Sequence, residues 1–350
     1  MDSGAVGRIP RLDGVIRCAR RTTGRARILM QEARGTAHAA SVHEPVLLRE
    51  TIDAIAPRSG GRYIDANLGG GGHAAALLAA SAPDGALLGI DADATAIRRS
   101  TARLAEYGAR LHTFHGSSAR IAEAAAAAGF HGVDGILFDL GLSSDQLADP
   151  ERGFGIRTGG PLDLRFNTGE GESAAALLAH LTAQELASLL RKFGEEPQAA
   201  RIARAIVARR ASTPVTTAEE LAELVAEVAA RPGRPPRIHP ATRVFQALRI
   251  AVNDELGALA TALDASIRLL AVGGRIVVLT YHSLEDRIVK RAFAAAARGC
   301  ICPPKVPLCG CGMTPSLRLI TGKPLIASDE EIARNPRSRS AKLRVAERIG

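Results

Sequence analysis

The 350-residue sequence contains no tryptophan, and aromatic residues make up only 3% of it. Proteins that bind single-stranded nucleic acid without sequence preference stack successive bases on aromatic side chains. The composition therefore argues against that class of protein. We expect any contact with nucleic acid to be directed mostly at phosphates.

Long apolar runs are also missing. No stretch approaches the roughly 18 apolar residues that a transmembrane helix requires, and no apolar segment follows the basic N-terminus as it does in a secretory signal. Hydrophobic residues (46%) and charged residues (23%) occur at the levels of an ordinary globular protein. We expect a soluble, cytoplasmic protein with no membrane contact.

Cysteines are few, and four of the five lie close together: Cys300, Cys302, Cys309 and Cys311. Their C-x-C-x6-C-x-C spacing does not suggest the disulfide framework of a small secreted protein. Four thiolates can hold a tetrahedral zinc ion, although structural zinc sites commonly space their cysteines as C-x2-4-C. Zinc binding and reduced cysteines in a surface loop both stay open.

Acidic residues are scarce at the N-terminus, where residues 1–41 are rich in arginine and show no apolar periodicity. This composition predicts a disordered extension, which we favour over a transit peptide. Over the whole chain the net charge is +9, which favours an anionic partner such as nucleic acid.

From residue 42 onward, short apolar segments alternate with helical ones, a pattern that predicts a parallel α/β sheet. We predict strands at residues 62–66, 86–91, 110–115, 133–140 and 275–281, with more at the sheet edge within 317–326 and 342–349. Over a hundred residues separate the fourth and fifth strands, more than a crossover connection needs. The predicted organisation is a Rossmann-like domain in two parts, 42–147 and 246–350, interrupted by a helical domain at 148–245.

The insertion carries clear helical signals. Apolar residues recur at i, i+3, i+4 and i+7 from Leu186 and again from Leu221. Thr182 with Glu185, and Thr217 with Glu220, form the S/T-x-x-E pattern that caps a helix start. A further long helix is predicted over residues 241–270.

A glycine-rich turn follows the first predicted strand, and Asp91 ends the second strand about 20 residues later. Consecutive glycines allow a ligand to approach the backbone, and a carboxylate in this position can accept hydrogen bonds from ribose hydroxyls. The glycines fit the dinucleotide pattern G-x-G-x-x-G/A only loosely. The turn therefore predicts an adenosine-bearing cofactor, either a nicotinamide dinucleotide or a sulfonium compound.

Polar residues end the fourth and fifth predicted strands. Asp139 ends the fourth, before a long polar loop, and Tyr281 and His282 end the fifth. Ligands of open α/β sheets bind outside the carboxyl ends of the strands, so these three side chains are candidate catalytic residues. For His282 a structural hydrogen bond is an equal alternative, and Ser283 is placed to cap the following helix.

Together, these segments resemble the MraW/RsmH family in the same order along nearly the whole chain from residue 42. The matching segments are residues 43–48, 63–65, 71–73, 139–146, 149–154, 160–163, 239–243, 282–287 and 335–341.

The resemblance implies an S-adenosylmethionine-dependent methyltransferase that modifies N4 of a cytosine, at rRNA position 1402, in the decoding centre of 16S rRNA. The partner would be the rRNA or the small ribosomal subunit. Motif by motif, the implied cofactor-binding residues are Gly71, Gly72, His73, Asp91, Ser118, Asp139 and Gln146.

Two positions depart from the pattern of that family. Ser118 stands where the family usually has an aromatic residue, so stacking area for the adenine would be lost. Asp145 stands where it usually has proline, which loosens the loop after the fourth strand. Neither change removes a charge that methyl transfer needs.

A buried base must be flipped out before it can be modified, so the enzyme needs a grip on the RNA. Five basic residues in or near the insertion are candidates for phosphate contact, with a salt bridge as the alternative for each: Arg152, Arg157, Arg165, Arg243 and Arg287. Two other classes stay open, a nicotinamide oxidoreductase and a non-catalytic ribosome-assembly factor.

Overall fold

The computed structural model describes residues 45–157, 159–230, 239–298, 302 and 310–350. The predicted N-terminal extension at residues 1–41 therefore lies outside the described residues. Within the described part, no helix has the length and apolar character needed to cross a membrane.

A single mixed sheet forms the centre of the fold. Its strands run in the order β3-β2-β1-β4-β5-β8-β6, with β7 also paired to β8. Strands β1 to β5 are parallel, and β8 runs antiparallel to β5. The strands are β1 (Arg62–Asp65), β2 (Ala86–Asp91), β3 (Leu111–His115), β4 (Val133–Asp139), β5 (Leu270–Thr280), β6 (Leu317–Leu319), β7 (Leu325–Ile326) and β8 (Lys342–Arg348).

All five predicted internal strands are confirmed, as are the strands predicted in the C-terminal segment. The fifth strand begins five residues earlier than expected, at Leu270. Its register against β4 shifts between Val133 and Gly135. Gly273, at φ 82°, allows this irregularity because a left-handed backbone costs glycine little.

Thirteen α-helices are found in the described residues. They are α1 (Leu48–Ile55), α2 (Gly72–Ala80), α3 (Ala94–Arg103), α4 (Ile121–Ala127), α5 (Ser144–Ala148), α6 (Ala174–His180), α7 (Ala183–Gly194), α8 (Ala199–Arg210), α9 (Ala218–Ala229), α10 (Thr242–Asn253), α11 (Glu255–Leu269), α12 (Ser283–Arg298) and α13 (Asp329–Arg334). Four 3₁₀ segments accompany them: Ala105–Arg110, Ser118–Arg120, Pro150–Arg152 and Pro336–Ser340.

Alternate residues of the central strands enter two hydrophobic cores, one on each face of the sheet. Ile136 and Phe138 of β4 pack into one core with Leu259 of α11. Leu137, between them, packs into the other with Leu77 of α2. Because both faces are covered, β4 is apolar along nearly its whole length, as expected of a central parallel strand.

The insertion has its own core, built from α6 to α10. Both predicted capping boxes are present, at Thr182 with Glu185 before α7 and at Thr217 with Glu220 before α9. This core extends to Leu248 and, at its margin, Val252. The predicted domain boundary at residue 245 therefore falls inside α10, a helix that packs with the insertion.

The single helix predicted over residues 241–270 is wrong, because the chain breaks at Asp254. This residue adopts a left-handed conformation with φ 46°, ending α10 and starting α11. The apolar residues on the two sides of Asp254 keep one helical spacing, so periodicity alone could not reveal the break.

Leu190 provides a test of the insertion core, because its side chain is fully buried there. Leu190→Ala should lower the free energy of unfolding by about 2–5 kcal/mol, through lost apolar contact and the cavity left behind. Urea denaturation followed by circular dichroism measures the change. Ser188→Ala, an exposed site on the same helix, should be nearly neutral, and equal effects of both variants would contradict this packing.

Candidate active site

Three aspartates meet at the carboxyl edge of the sheet. Asp65 ends β1, Asp91 ends β2 and Asp139 ends β4. Strand β1 lies between the other two, so their carboxyl ends are neighbours. Asp91 and Asp139 were predicted as site residues, whereas Asp65 was not, although its place directly before the glycine turn was a usable signal.

The glycine turn between β1 and α2 is shaped for close approach of a ligand. Gly69 and Gly71 adopt positive φ values of 49° and 72°, which L-residues rarely adopt. Ser100 supports the turn from α3 by donating its hydroxyl to the carbonyl of Gly69 at 2.6 Å. Asn67, just before the glycines, has a buried Oδ1 with no hydrogen-bond partner. Such an acceptor fits a ligand that brings an N–H or O–H donor into the turn.

Asp91 holds this turn in place. Its Oδ2 accepts from the Gly69 amide at 2.8 Å, and its Oδ1 accepts from the Asp93 amide at 2.8 Å. Burial raises the pKa of Asp91 to about 6. A carboxylate offers about four acceptor positions, so Asp91 retains capacity for the ribose hydroxyls that the sequence predicted.

His73 and Asp139 form a buried pair behind the turn. The His73 side chain is only 5% exposed, and its Nδ1 lies 3.3 Å from Asp139 Oδ2. Its Nε2 lies 3.1 Å from the carbonyl oxygen of Val46. Since a carbonyl and a carboxylate only accept, these two contacts suit a protonated ring, in which both nitrogens donate. Burial opposes that charge, but the hydrogen bond and charge of Asp139 raise the pKa of His73.

Tyr281 completes the arrangement around Asp139. Its hydroxyl donates to Asp139 Oδ1 at 2.7 Å. Burial, followed by the charge of Asp139, raises the pKa of Tyr281 well above its usual value, so the hydroxyl stays protonated. Asp139 is thus held by one donor on each oxygen, while 26% of its side chain remains exposed. The structure brings together three predicted residues: His73, Asp139 and Tyr281.

His282 has structural partners on the helix that follows it, α12. Its Nδ1 accepts from the Glu285 amide at 3.4 Å, while the Glu285 carboxylate accepts from the amides of Tyr281 and His282 at 2.8 and 3.2 Å. His282 Nε2 lies 3.1 Å from Glu285 Oε1, although the angle does not suit a hydrogen bond. These contacts favour the structural alternative, and direct catalysis by His282 stays a prediction.

The prediction that Ser283 caps this helix is wrong. Ser283 is the first residue of α12, and its hydroxyl donates to Glu195 Oε2 at 2.7 Å instead. His282, directly before the helix, accepts from the Glu285 amide through its Nδ1, in the place where a capping hydroxyl would accept.

Gln146 and Ser118 lie at the same edge of the sheet in different settings. Gln146 is 7% exposed and forms a capping box with Ser143, and it also donates to Asp93 at 3.2 Å. Its side chain therefore helps to shape the cleft, which is lined by Gly69, Asp93, Thr95, Ala96, Arg99, Ser143, Asp145, Gln146, Asp149 and Arg152. Ser118 is half-buried at the start of the 3₁₀ segment after β3. Cofactor contact by either residue stays a prediction.

The five arginines predicted to face RNA divide into two groups. Arg152, Arg165 and Arg287 pair with Asp93, Asp163 and Glu195 at 2.7, 2.7 and 3.0 Å. Arg152 is also buried, so its contacts favour the role of a salt bridge over contact with an RNA phosphate. Arg157 and Arg243 are exposed, and within the described residues neither has an ion pair.

The zinc prediction falls largely outside the described residues, because Cys300 and Cys309 are not among them. Cys302 and Cys311 are half-buried. Over the described part of the chain, no group of three or more histidine, cysteine, aspartate or glutamate side chains is arranged to hold a metal ion. Zinc binding stays a prediction.

Comparison with known proteins gives an extended match. The sequence matches the MraW methylase family over residues 40–349. It is 55% identical over 325 residues to the ribosomal RNA small subunit methyltransferase H of Thermomicrobium roseum, covering 93% of this chain and 98% of that protein. The protein of the same name from Trichlorobacter lovleyi is 50% identical over 308 residues, covering 88% of this chain and 98% of that one.

Among solved structures, a putative rRNA-methylase from Clostridium thermocellum is similar at a TM-score of 0.41 and 12% identity, covering 88% of this chain and all of that one. That similarity is too low to support an inference about the site.

Asp65 provides a test of the electrostatics at this edge. Burial raises its pKa from 3.8 to about 7. Between about pH 4 and about pH 7 the folded state therefore keeps a proton that the unfolded chain loses. Over this range Asp65 lowers the free energy of unfolding by an amount that grows as the pH rises. Asp65→Asn removes that cost, so its stability relative to wild type should grow over the same range and then level off.

Urea denaturation across that pH range measures the difference between the two proteins. Asp84→Asn, at an exposed position before β2, is the matched control and should show no such trend. A difference between Asp65→Asn and wild type that does not vary with pH would contradict the raised pKa.

Proposed function

The chain belongs to the MraW methylase family, and we propose that it is an S-adenosylmethionine-dependent methyltransferase acting on the N4 amine of a cytosine in 16S rRNA. The observation that carries this proposal is Asp139, a partly exposed carboxylate held by two donors beside the glycine turn. The names and high identities of the two relatives support rRNA as the substrate class. A cytoplasmic site of action follows from that substrate.

The residues around the turn fit this cofactor. Asp91 has acceptor positions for the two ribose hydroxyls, and the unpartnered Oδ1 of Asn67 suits the ammonium group of the methionine part. The positive φ values at Gly69 and Gly71 favour glycine, which leaves the backbone of the turn open to close approach by a ligand. When bound, S-adenosylmethionine supplies a methyl group activated by its sulfonium charge.

Asp139 is suited to the acceptor side of the reaction. The cytosine amine is a weak nucleophile because its lone pair is delocalised into the ring. A carboxylate accepting one N–H concentrates electron density on the nitrogen as the new bond forms. His73 and Tyr281 fix the orientation of Asp139, and such prior positioning can account for about 7–11 kcal/mol of a barrier.

Asp139 can also act as the base that completes the transfer. A carboxylate suffices for this step, since the amine becomes strongly acidic once it carries the new methyl group. Asp139 can then take the proton that the nitrogen releases. Tyr281 keeps its own proton throughout and serves as a donor.

The insertion provides the surface on which we propose that the RNA is gripped. Exposed Arg157 and Arg243 are candidates for phosphate contact. A flipped cytosine would enter the edge of the sheet near Asp139, at a cost of a few kcal/mol for unstacking. The small ribosomal subunit and free 16S rRNA are both candidate forms of the substrate.

Two rivals make different predictions. A nicotinamide oxidoreductase would bind a dinucleotide and transfer hydride, which membership of a methylase family argues against. A non-catalytic assembly factor would bind rRNA without methyl transfer. Incubating the protein with labelled S-adenosylmethionine and unmethylated 16S rRNA or small subunits decides between these possibilities, because only the proposed enzyme labels a cytosine.

Asp139→Asn tests the role of the acceptor in the same assay. The substitution keeps the size of the side chain but removes its charge, so single-turnover methyl transfer should fall by about 100-fold or more. Binding of S-adenosylmethionine, measured by calorimetry, should change little. Asp84→Asn is the control. A parallel loss of cofactor affinity would show that Asp139 holds the cofactor rather than the amine.

Asp91→Asn tests the cofactor side. Loss of a hydrogen bond between a ribose hydroxyl and a charged group should weaken S-adenosylmethionine binding by about 1.5–3 kcal/mol. The asparagine oxygen can keep one of the two backbone amides in place, and thermal unfolding verifies that the fold is intact. An affinity equal to that of wild type would place the ribose elsewhere.

A further inference from the structure

Arg337 joins the C-terminal segment to the loop that follows β4. It lies in the 3₁₀ segment Pro336–Ser340, and its guanidinium donates to the hydroxyl of Ser144, 193 residues away in sequence. Ser144 begins α5, five residues after Asp139 ends β4. A side chain from the far end of the chain is thus held at the edge of the candidate active site.

The contact joins Arg337 to a residue of α5 that lies outside the cleft beside the glycine turn. Ser143, Asp145 and Gln146 line the cleft beside the glycine turn, but Ser144 does not. The charge of Arg337 also acts on Tyr281, the hydroxyl of which donates to Asp139. Arg337 therefore lies near the proposed acceptor group.

Arg337 is poorly neutralised in this position. Its hydrogen-bond partner Ser144 is uncharged, and among the described residues it has no carboxylate within 4.0 Å. The carboxylate that acts on it is Asp145, which lies 3.5 Å from Arg99. Two guanidinium groups thus share one carboxylate beside the site. Desolvation lowers the pKa of Arg337, yet an arginine remains charged in proteins, so this position favours an anion.

We propose that Arg337 binds a phosphate of the RNA backbone next to the target cytosine and so positions that base against Asp139. A guanidinium matches the geometry of a phosphate and can donate two parallel hydrogen bonds to it. Ser144 holds the side chain in place, which reduces the entropy lost on binding. This inference rests on the proposed function, because it takes RNA as the substrate.

Arg337→Gln in the full-length protein tests the proposal. We measure binding of unmethylated 16S rRNA transcript over a series of salt concentrations, without relying on turnover. Loss of one phosphate contact should weaken binding by about tenfold at low salt and reduce the slope of log K against log salt by about one. Affinity for S-adenosylmethionine should stay within about twofold of wild type, and Arg337→Lys should recover part of the RNA affinity.

Arg268→Gln is the matched control, because it removes one positive charge as Arg337→Gln does. Arg268 is exposed and pairs with Asp264 in α11, just before β5 begins, at the edge of the sheet opposite the site. The proposal is overturned if Arg337→Gln and Arg268→Gln have the same RNA affinity and salt slope. A loss of cofactor affinity with unchanged RNA binding also overturns it, because the anion would then be the cofactor carboxylate.

Failure of the proposed function gives a different result. A wild-type protein that transfers no methyl group, yet binds rRNA with a salt slope dependent on Arg337, would remove the enzyme proposal and leave the phosphate contact standing. If instead the wild-type protein methylates rRNA and Arg337→Gln binds rRNA as wild type does, the enzyme proposal stands and the phosphate contact is removed.

Discussion

The site depends on holding three carboxylates together where water is scarce. Parallel pairing of β1, β2 and β4 brings Asp65, Asp91 and Asp139 to one edge of the sheet, and like charges repel strongly at low dielectric. The fold gives each acid a different environment. Asp91 receives two backbone amides, Asp139 pairs with an imidazole and receives a hydroxyl, and Asp65, with one amide, has a raised pKa. Neighbouring carboxylates at one edge are therefore held by different partners, as the proposed function requires of a cofactor site beside a proton acceptor.

Features fixed by nearby residues could be predicted from the sequence. The internal strands, the glycine turn before α2 and the capping boxes at Thr182 and Thr217 all depend on short spacings, and all are confirmed. The break at Asp254 and the partners of Arg152 and His73 were not predicted. The contact between Arg152 and Asp93 spans 59 residues, and no local pattern specifies which charges meet after folding.

The same long-range contacts connect the insertion to the sheet. Asp93, next to the ribose candidate Asp91, accepts from both Arg152 and Gln146. On the other side of the site, Glu195 of the insertion accepts from Ser283 and Arg287 at the start of α12. The insertion is thus attached beside both the glycine turn and Tyr281. Through these contacts, a change in the position of the insertion would alter the site both at the glycine turn and at Tyr281.

Departures from the usual family pattern lie at the margin of this arrangement and not at its centre. Ser118 and Asp145 make none of the contacts that fix Asp139. Asp145 instead lies between Arg99 and Arg337, where its charge partly offsets two cations. Proline at this position carries no charge and would remove that offset. Position 145 therefore adjusts the electrostatics at the mouth of the site, while the geometry of His73, Asp139 and Tyr281 is set by the sheet itself.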